Sequence, residues 1–470
     1  MHLKHILMSI VLFFILSCGA TSSGKSENSS LSEVPPLDRS TNFKHSAKTV
    51  TIYVHGFEKG GFELSQTYGE NYRNDFTDKL SEVTNYPKLN DYDKNNFTNV
   101  LSSIEYYGDE VPSYYDESDI NDITAITEQY QGGIPRYALI VAKYAKHVLA
   151  ETGAERVNLV SVSMGSLIVR WMIEKNVENL ASDKKIEKWM TAEGLIRGNY
   201  GYTKIASIPI IPVHSFVDNS AETRHMKYSW IEENLAADRG TMKSPYYADI
   251  LVGQISMTES EKEQAGLKYI LIEEGYQPND GYQLVKDTYF GEIESSIQAP
   301  SHSLIHIDHV SINESDVTFR TISNFLEAKK RVRITLLEVK VSDIHESITA
   351  LNTKNETVFQ SIISSSQGLL CERVYKGGTL NVYNYKSANQ SINVNQILFD
   401  DFVAANTSNL TVKIKGYELD RSSKYSISEV ATGTKESMGE SIDSISLENT
   451  SYEVSADDWS GVIKVEVLEM

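Results

Sequence analysis

The chain has 470 residues, of which 40% are hydrophobic and 23% are charged, proportions that are typical of a folded protein with more than one domain. Its formal net charge at pH 7 is -20. Binding of nucleic acid requires a basic face that neutralises phosphates, so this charge argues against a nucleic-acid partner.

The first residues have the composition of an export signal. Lys4 precedes an apolar run over residues 6–16 that is too short to span a bilayer, and Cys18 follows. This end is similar to the lipobox of bacterial lipoproteins, in which the cysteine carries lipid. We expect a signal peptide over residues 1–17 and a flexible tether over residues 18–47. A lipid anchor on Cys18 would hold the exported protein in the cell envelope, at the outer membrane, its periplasmic face or the cell surface. Ordinary cleavage of the signal, or a plain buried cysteine, is the alternative.

The second cysteine, Cys371, has no internal disulfide partner if Cys18 is acylated. A lone cysteine of this kind is more often a small buried hydrophobic residue than a reactive thiol. We therefore expect Cys371 to be buried.

Strands and helices alternate in the segment 48–328. The stretches "KTVTIYVHGF", "FTNVLSSIEYYGD", "VNLVSV" and "GLKYILIEEG" predict strands, since each carries a run of apolar or β-branched residues. "PRYALIVAKYAKHVLAETGA" has the helical spacing of apolar residues and ends at Gly153, and "SDVTFRTISNFLEA" predicts a last helix capped by Ser315. Apolar strands that alternate with helices predict an α/β fold with a mostly parallel sheet and helices on both faces.

Between residues 184 and 266 this alternation weakens. We interpret the segment as an insertion that caps the sheet. Its apolar and aromatic residues suit either an apolar pocket over the sheet or a small core of the cap itself. They are Ile208, Ile210, Ile211, Phe216, Trp230, Tyr246, Tyr247 and Leu251.

From residue 331 to residue 470 the spacing of the apolar residues changes, and they recur at every second position. The stretches "RVRITLLEVKV", "TLNVYNYKSA", "NLTVKIKGYEL" and "GVIKVEVLEM" alternate apolar and polar residues. This pattern is typical of half-buried antiparallel strands, and it predicts a β-sandwich as a second domain.

A serine follows one of the apolar strands directly. In "VNLVSVSMGSL", Ser163 lies where the strand turns into a helix, between the small residues Ser161 and Gly165. Such a turn exposes the hydroxyl and leaves amide groups free to bind an oxyanion. The alternative is a serine that merely caps the helix.

A nucleophilic serine also needs two amide donors, a base and an acid. The backbone of Phe57, at the end of an earlier strand, and that of Met164 are candidate donors for the oxyanion hole. Downstream, Asp280 lies in an Asn-Asp-Gly turn and His309 precedes the last helix, so the chain order is serine, acid, histidine.

Other residues compete for two of these roles. His302 and His306 lie in the same segment as His309, and Asp218 and Asp308 are rivals of Asp280, whose alternative role is that of a turn residue. We expect His55 to be structural, as a residue that holds the oxyanion loop by hydrogen bonds.

The segment 51–326 resembles α/β-hydrolases, and in detail bacterial triacylglycerol lipases and esterases. "VHGF" is similar to their oxyanion strand, "GAERVNLVSVSMGSLIVR" to the nucleophile elbow, "NDGYQLV" to the acid loop and "DHVSI" to the histidine loop. The resemblance implies that Ser163 is the nucleophile, Asp280 the acid and His309 the base. The sequence departs from the lipase pattern at Ser161, Val162 and Ser166, where glycine, histidine and glycine are usual.

This resemblance implies a serine ester hydrolase that needs no cofactor and acts on an apolar ester, with water releasing the acyl enzyme. No spacing of His, Cys, Asp or Glu predicts a metal site, and although some related lipases hold calcium, we identify no ligands for it. The arrangement of the C-terminal sandwich is similar to C2 or PLAT modules, which would dock on lipid; an inert stabilising domain is the alternative. Acyl transfer, another deacylation, or a binding protein without catalysis are the alternative functions.

Overall fold

The structure is a computed structural model, and it describes residues 37, 43–57, 66–108, 110–206, 220–235, 241–242, 244–258, 279–290, 292–293, 300–342, 355–373, 383–385, 388–419 and 435–470. The predicted signal peptide, Cys18 and most of the predicted tether lie outside these residues. No helix of the described segments combines the length and the apolar character that a bilayer crossing requires.

A parallel sheet occupies the first part of the described chain. Its strands have the spatial order β2-β1-β3-β4-β6-β8, and every neighbouring pair is parallel. Strands β1, β4 and β6 are buried along their whole length, which explains why parallel strands are mostly apolar. The strands are β1 (Thr49–Val54), β2 (Asn99–Ile104), β3 (Arg156–Val162), β4 (Ile186–Ala192), β6 (Leu251–Met257) and β8 (Ser301–Ile305), and a short β5 (Thr241–Met242) pairs with β7 (Glu292–Ile293).

Helices cover both faces of this sheet. Successive side chains of a strand point to opposite faces, and Ile52 accordingly belongs to one core cluster and Tyr53 to another. The first cluster includes residues of the helices Ile134–Thr152 and Met164–Glu174, and the second includes residues of the helices Gln66–Thr84 and Asp316–Glu327. The helices are α1 (Gln66–Thr84), α2 (Glu117–Tyr130), α3 (Ile134–Thr152), α4 (Met164–Glu174), α5 (Tyr200–Ala206), α6 (Ala221–His225), α7 (Tyr228–Asn234) and α8 (Asp316–Glu327).

Two helix ends are formed by the residues that the sequence indicated. Gly153 has a φ of 72° and ends α3, and its N–H donates to the carbonyl of Leu149 at 3.0 Å. Ser315 precedes α8, and its Oγ accepts a hydrogen bond from the Thr318 N–H at 3.2 Å.

Two antiparallel sheets form the C-terminal part, which confirms the predicted sandwich class. One has the order β11-β10-β14-β15, with β12 also paired to β10, and the other has the order β13-β9-β17-β16. Trp459 and Phe359 pack in the core between them, and Cys371 is buried there as expected. The strands are β9 (Lys330–Val341), β10 (Asn355–Ser365), β11 (Gly368–Arg373), β12 (Tyr383–Tyr385), β13 (Ser391–Val403), β14 (Asn409–Leu419), β15 (Lys435–Ser446), β16 (Thr450–Ser455) and β17 (Trp459–Glu469).

A buried polar junction joins the edge strand β8 to this sandwich. Ser303 of β8 donates a hydrogen bond to the Asp401 carboxylate, and Arg373 donates to the carbonyl of His302 at 2.9 Å. The adjacent Asp400 binds Arg331 and Arg333, with N–O distances of 2.8 and 2.7 Å. The sandwich therefore covers a sheet edge that would otherwise present unpaired backbone groups.

The insertion predicted over residues 184–266 needs a correction, because β4 and β6 of the parallel sheet both lie inside it. Strand β4 was not predicted because its sequence, "IEKWMTA", contains charged residues. These residues, Glu187 and Lys188, are buried in the structure as an ion pair with an N–O distance of 3.1 Å. Leu251 consequently belongs to the sheet and not to a cap. The predicted strand "GLKYILIEEG" and the residues Ile208, Ile210, Ile211 and Phe216 lie outside the described part of the chain.

Two of the remaining aromatic residues of that segment pack into the main core. Tyr247 is fully buried and donates to Glu174 at 3.0 Å, while Trp230 stacks on Trp171 at 5.3 Å. Of the two alternatives for these aromatic residues, a pocket or a core, the contacts favour the core. For the domains themselves, we propose boundaries at residues 48–328 and 331–470, since α8 ends at Glu327 and β9 begins at Lys330.

Candidate active site

Ser163 lies at a sharp turn between β3 and α4. Its backbone has a φ of 51° and a ψ of -125°, a conformation that non-glycine residues rarely adopt. Such strain persists only where the surroundings enforce it, and it is characteristic of a nucleophile elbow. The turn places the serine at the N-terminus of α4, where the helix dipole favours negative charge.

Two glycines allow the elbow to approach β1 closely. A Cβ atom added to Gly165 would lie 2.3 Å from the carbonyl oxygen of Val54, and one added to Gly56 would lie 3.0 Å from Cβ of Ser163. Larger residues at either position would force the serine away from the end of β1. The close approach therefore explains why glycine occupies positions 56 and 165.

The two serines that replace glycine in the lipase pattern are held by hydrogen bonds. Oγ of Ser161 accepts from the indole N–H of Trp189 at 2.8 Å and lies 3.0 Å from Oγ of Ser166. Thr191 donates to Ser166 at 3.0 Å. Because these buried hydroxyls have partners, the departures from the pattern do not leave unpaired polar groups in the elbow.

A hydrogen-bonded path connects three side chains from distant parts of the chain. Nε2 of His309 lies 3.1 Å from Oγ of Ser163, and Nδ1 of the same ring lies 2.8 Å from Oδ2 of Asp280. Ser163 and Asp280 are buried, and 15% of the His309 side chain is exposed. The structure thus brings together the three residues that the sequence order suggested.

The acid loop orients the Asp280 carboxylate through its own backbone. Oδ1 accepts from the N–H groups of Tyr282 and Gln283 at 2.9 and 2.7 Å, and the Asp280 carbonyl accepts from the His309 N–H at 2.9 Å. The turn-residue role and the role as partner of the histidine are therefore combined in one side chain.

The competing histidines make other contacts. His302 is bonded to Ser256 at 2.7 Å and stacks on Tyr289, and complete burial together with the nearby Arg373 charge lowers the pKa of His302 to about 3. His306 is bonded to Thr258 at 2.9 Å. An imidazole with so low a pKa is a poor general base, which disfavours His302.

The rival acids are also accounted for. Asp308 accepts hydrogen bonds from the N–H groups of Val310 and Ser311, at 3.1 and 3.0 Å, and so shapes the loop that carries His309. Asp218 lies outside the described residues.

The candidate oxyanion loop is fixed by aromatic contacts. His55 stacks on Tyr106 with 4.0 Å between ring centroids, and the Tyr106 hydroxyl lies 2.6 Å from the carbonyl of His55 and 2.9 Å from that of Gly56. Phe57 is half-buried against the main core. Met164 is the first residue of α4, where an N–H has no acceptor within the helix. The oxyanion role of Phe57 and Met164 stays a prediction.

Two polar residues near the serine were not identified from the sequence. Glu193 directly follows β4, and its Oε2 lies 3.3 Å from Nδ1 of His309. Gln283 donates from Nε2 to Oγ of Ser163 at 3.4 Å. The carboxyl ends of neighbouring parallel strands meet at one edge, so Glu193 would have been a candidate had β4 been recognised; Gln283 lies within the acid loop itself.

One group of side chains in the described residues has the spacing of a metal site. Glu193, Asp280 and His309 each offer a ligand atom, and these atoms lie within 4.8 Å of one another. The bond between Asp280 and the histidine ring explains the proximity of these two residues, and Glu193 is a further buried neighbour of the same ring.

Three features agree with the arrangement of an α/β-hydrolase: the order of the parallel strands, the strained serine after β3, and the chain order of serine, acid and histidine. The fold is that of the α/β-hydrolases.

No protein-family model and no curated protein matches the sequence. Among solved structures, a Bacillus licheniformis lipase in its mature form is similar over 61% of this chain and 95% of its own, at 12% identity and a TM-score of 0.36. Phospholipase PlaB from Legionella pneumophila is similar over 87% and 92%, at 10% identity and a TM-score of 0.36. A C2 domain protein from Ramazzottius varieornatus is similar over 30% and 89%, at 8% identity and a TM-score of 0.20. Likenesses this distant carry no argument about function.

Proposed function

We propose that the chain is a serine carboxylic-ester hydrolase of the lipase or esterase type. The observation that carries this proposal is the path from Oγ of Ser163 through the His309 ring to the carboxylate of Asp280, with bonds of 3.1 and 2.8 Å. A serine with a base in hydrogen-bond reach, and a base oriented by a buried acid, is the arrangement that activates a hydroxyl for attack on a carbonyl.

The mechanism follows from the roles of these atoms. His309 accepts the hydroxyl proton at Nε2 while Oγ of Ser163 attacks the ester carbonyl carbon, and Asp280 holds the ring in the tautomer with a proton on Nδ1. The amides of Phe57 and Met164 stabilise the oxyanion. The C–O bond to the alcohol breaks, and the alcohol leaves with the proton from His309. Water then gives a proton to His309 and attacks the acyl carbon. The bond from this carbon to Oγ of Ser163 breaks, His309 returns the proton to Oγ, and the carboxylic acid leaves.

The surroundings of the histidine support an apolar substrate. Tyr282 is 45% exposed and Val310 is 50% exposed, and the Tyr282 ring lies 5.1 Å from that of His309. Exposed apolar side chains beside a reacting group provide a surface for an acyl chain or a lipid interface. Acyl transfer would use the same groups with an alcohol in place of water.

Activity towards a graded panel of p-nitrophenyl esters, from acetate to palmitate, tests this proposal. We expect release of nitrophenol, with kcat/KM that rises from the shortest chain as more apolar surface is buried, by about fourfold for each methylene group bound. Ser163→Ala is the inactive control. Turnover of short chains alone would leave an esterase and exclude a lipase, and a folded protein that hydrolyses none of the esters would contradict the proposal.

We further propose that Cys18 is acylated and anchors the protein at a membrane of the cell envelope. The apolar run that ends just before Cys18 supports this assignment. Cys18→Ala is expected to move the protein from the membrane fraction to the soluble fraction and to abolish incorporation of labelled palmitate. Cys371→Ala, at a buried position, is the matched control and is expected to stay membrane-bound. Labelling that persists without Cys18 would refute the anchor.

A further inference from the structure

A second buried carboxyl group faces the histidine. Oε2 of Glu193 lies 3.3 Å from Nδ1 of His309, the same nitrogen that is bonded to Asp280 at 2.8 Å. The Glu193 side chain is 1% exposed, and in the described part of the chain its Oε2 accepts no hydrogen bond. One ring nitrogen therefore has two carboxyl neighbours, of which only one is bonded to it.

The backbone holds Glu193 in an unfavourable conformation. Its φ is 45°, and its N–H donates to the carbonyl of Ile255 at 2.8 Å. The next residue, Gly194, packs so closely that an added Cβ would lie 2.0 Å from Oγ1 of Thr191. A non-glycine residue with such a φ is strained, and backbone strain is concentrated at functional sites.

The two carboxyl groups have different environments. Asp280 accepts three N–H hydrogen bonds, from Tyr282, Gln283 and the His309 ring. Complete burial, together with the charges of Asp280 and Asp308, raises the pKa of Glu193 well above its ordinary value. The raised pKa favours the neutral acid form of Glu193, whereas the Asp280 carboxylate is the group that is bonded to the imidazole.

We propose that Glu193 is a second acid for His309, a positioning residue that orients the imidazole when the Asp280 charge is absent. Removal of that charge takes away one of the two negative charges that raise the pKa of Glu193, and so lowers the cost of ionising its buried carboxyl group. Its Oε2 can accept the Nδ1–H after a shift of a few tenths of an ångström from 3.3 Å. This inference rests on the proposed function, since it concerns the same histidine.

Asp280→Asn and the double variant Glu193→Gln/Asp280→Asn, made in the full chain, test it. The double variant is expected to lose about 10⁴-fold in kcat, the loss typical of a triad without its carboxylate. Asp280→Asn alone is expected to stay at least about tenfold more active than the double variant. The matched control is Asp249→Asn/Asp280→Asn, which removes an exposed carboxylate that precedes β6 and pairs with Lys184, and it should equal Asp280→Asn.

The pH profile separates orientation from packing. The charged groups of the described residues that act on Glu193 are His309, Asp280 and Asp308. With Asp280 replaced, Glu193 orients the ring best as a carboxylate, so the activity of Asp280→Asn relative to the double variant is expected to rise with pH. Both variants lack the Asp280 charge, so its effect on the imidazole cancels in this ratio.

Equal activity of Asp280→Asn and the double variant at every pH would overturn the inference. If that double variant does not fold, Glu193→Ala/Asp280→Asn takes its place in the same comparison. Failure of the proposed function is distinguishable, because wild type would then hydrolyse none of the esters or Ser163→Ala would hydrolyse them as fast as wild type.

Discussion

Replacement of Ser163 by alanine is expected to lower kcat for ester hydrolysis by at least about 10⁴-fold, because no other hydroxyl takes the place of the nucleophile. The side chain contributes one hydrogen bond to His309 and one from Gln283, so the loss of stability should stay near 1 kcal/mol. Initial rates with a p-nitrophenyl ester and a thermal melt measure the two effects separately.

A fluorophosphonate probe makes this prediction specific to the residue. Wild type is expected to take up one label per chain, and Ser163→Ala none. Ser166→Ala is the matched control, since it removes another buried elbow hydroxyl, bonded to Ser161 and Thr191, and should keep the label with less than about a tenfold loss of rate. Labelling or hydrolysis that survives in Ser163→Ala would assign the nucleophile to another residue.

The largest effect on stability is expected from Asp400→Asn. This change leaves the guanidinium groups of Arg331 and Arg333 buried without their counter-charge, at a cost of about 3–5 kcal/mol. The loss is a large part of the stability of an ordinary domain, so the urea midpoint should fall clearly. Asp249→Ala, which breaks an exposed pair with Lys184, is the control and should cost less than about 1 kcal/mol.

The effect of Asp400→Asn depends on pH with a defined sign. Burial alone would raise the pKa of Asp400, but the charges of Arg331 and Arg333 lower that pKa below its ordinary value. A group whose pKa is lowered by folding stabilises the fold above its unfolded pKa, and this contribution is lost as pH falls below about 4. The difference between wild type and variant should therefore narrow in acid; a constant difference would show that the charge pair is not its origin.

Features that depend on local pattern could be predicted from the sequence. The alternation of apolar residues from residue 331 indicated antiparallel strands, and Gly153 and Ser315 marked two helix ends. Ser163 was proposed as the elbow because a strand, a small residue on each side and a helix follow one another within a few positions. Strand β4 was missed because its buried Glu187 and Lys188 read as exposed residues, and their pairing is a tertiary contact.

By itself, the sequence predicted the fold class and the position of the elbow, since both depend on local patterns, and it also gave the chain order of the candidate serine, acid and histidine. Only the tertiary structure decided that His302 is buried against Tyr289 while His309 reaches Ser163, and that Glu193 adjoins the same ring. It also decided that the sandwich is joined to the edge strand β8. The physical reason is that these outcomes depend on distances between segments far apart in the chain, which neither residue type nor spacing encodes.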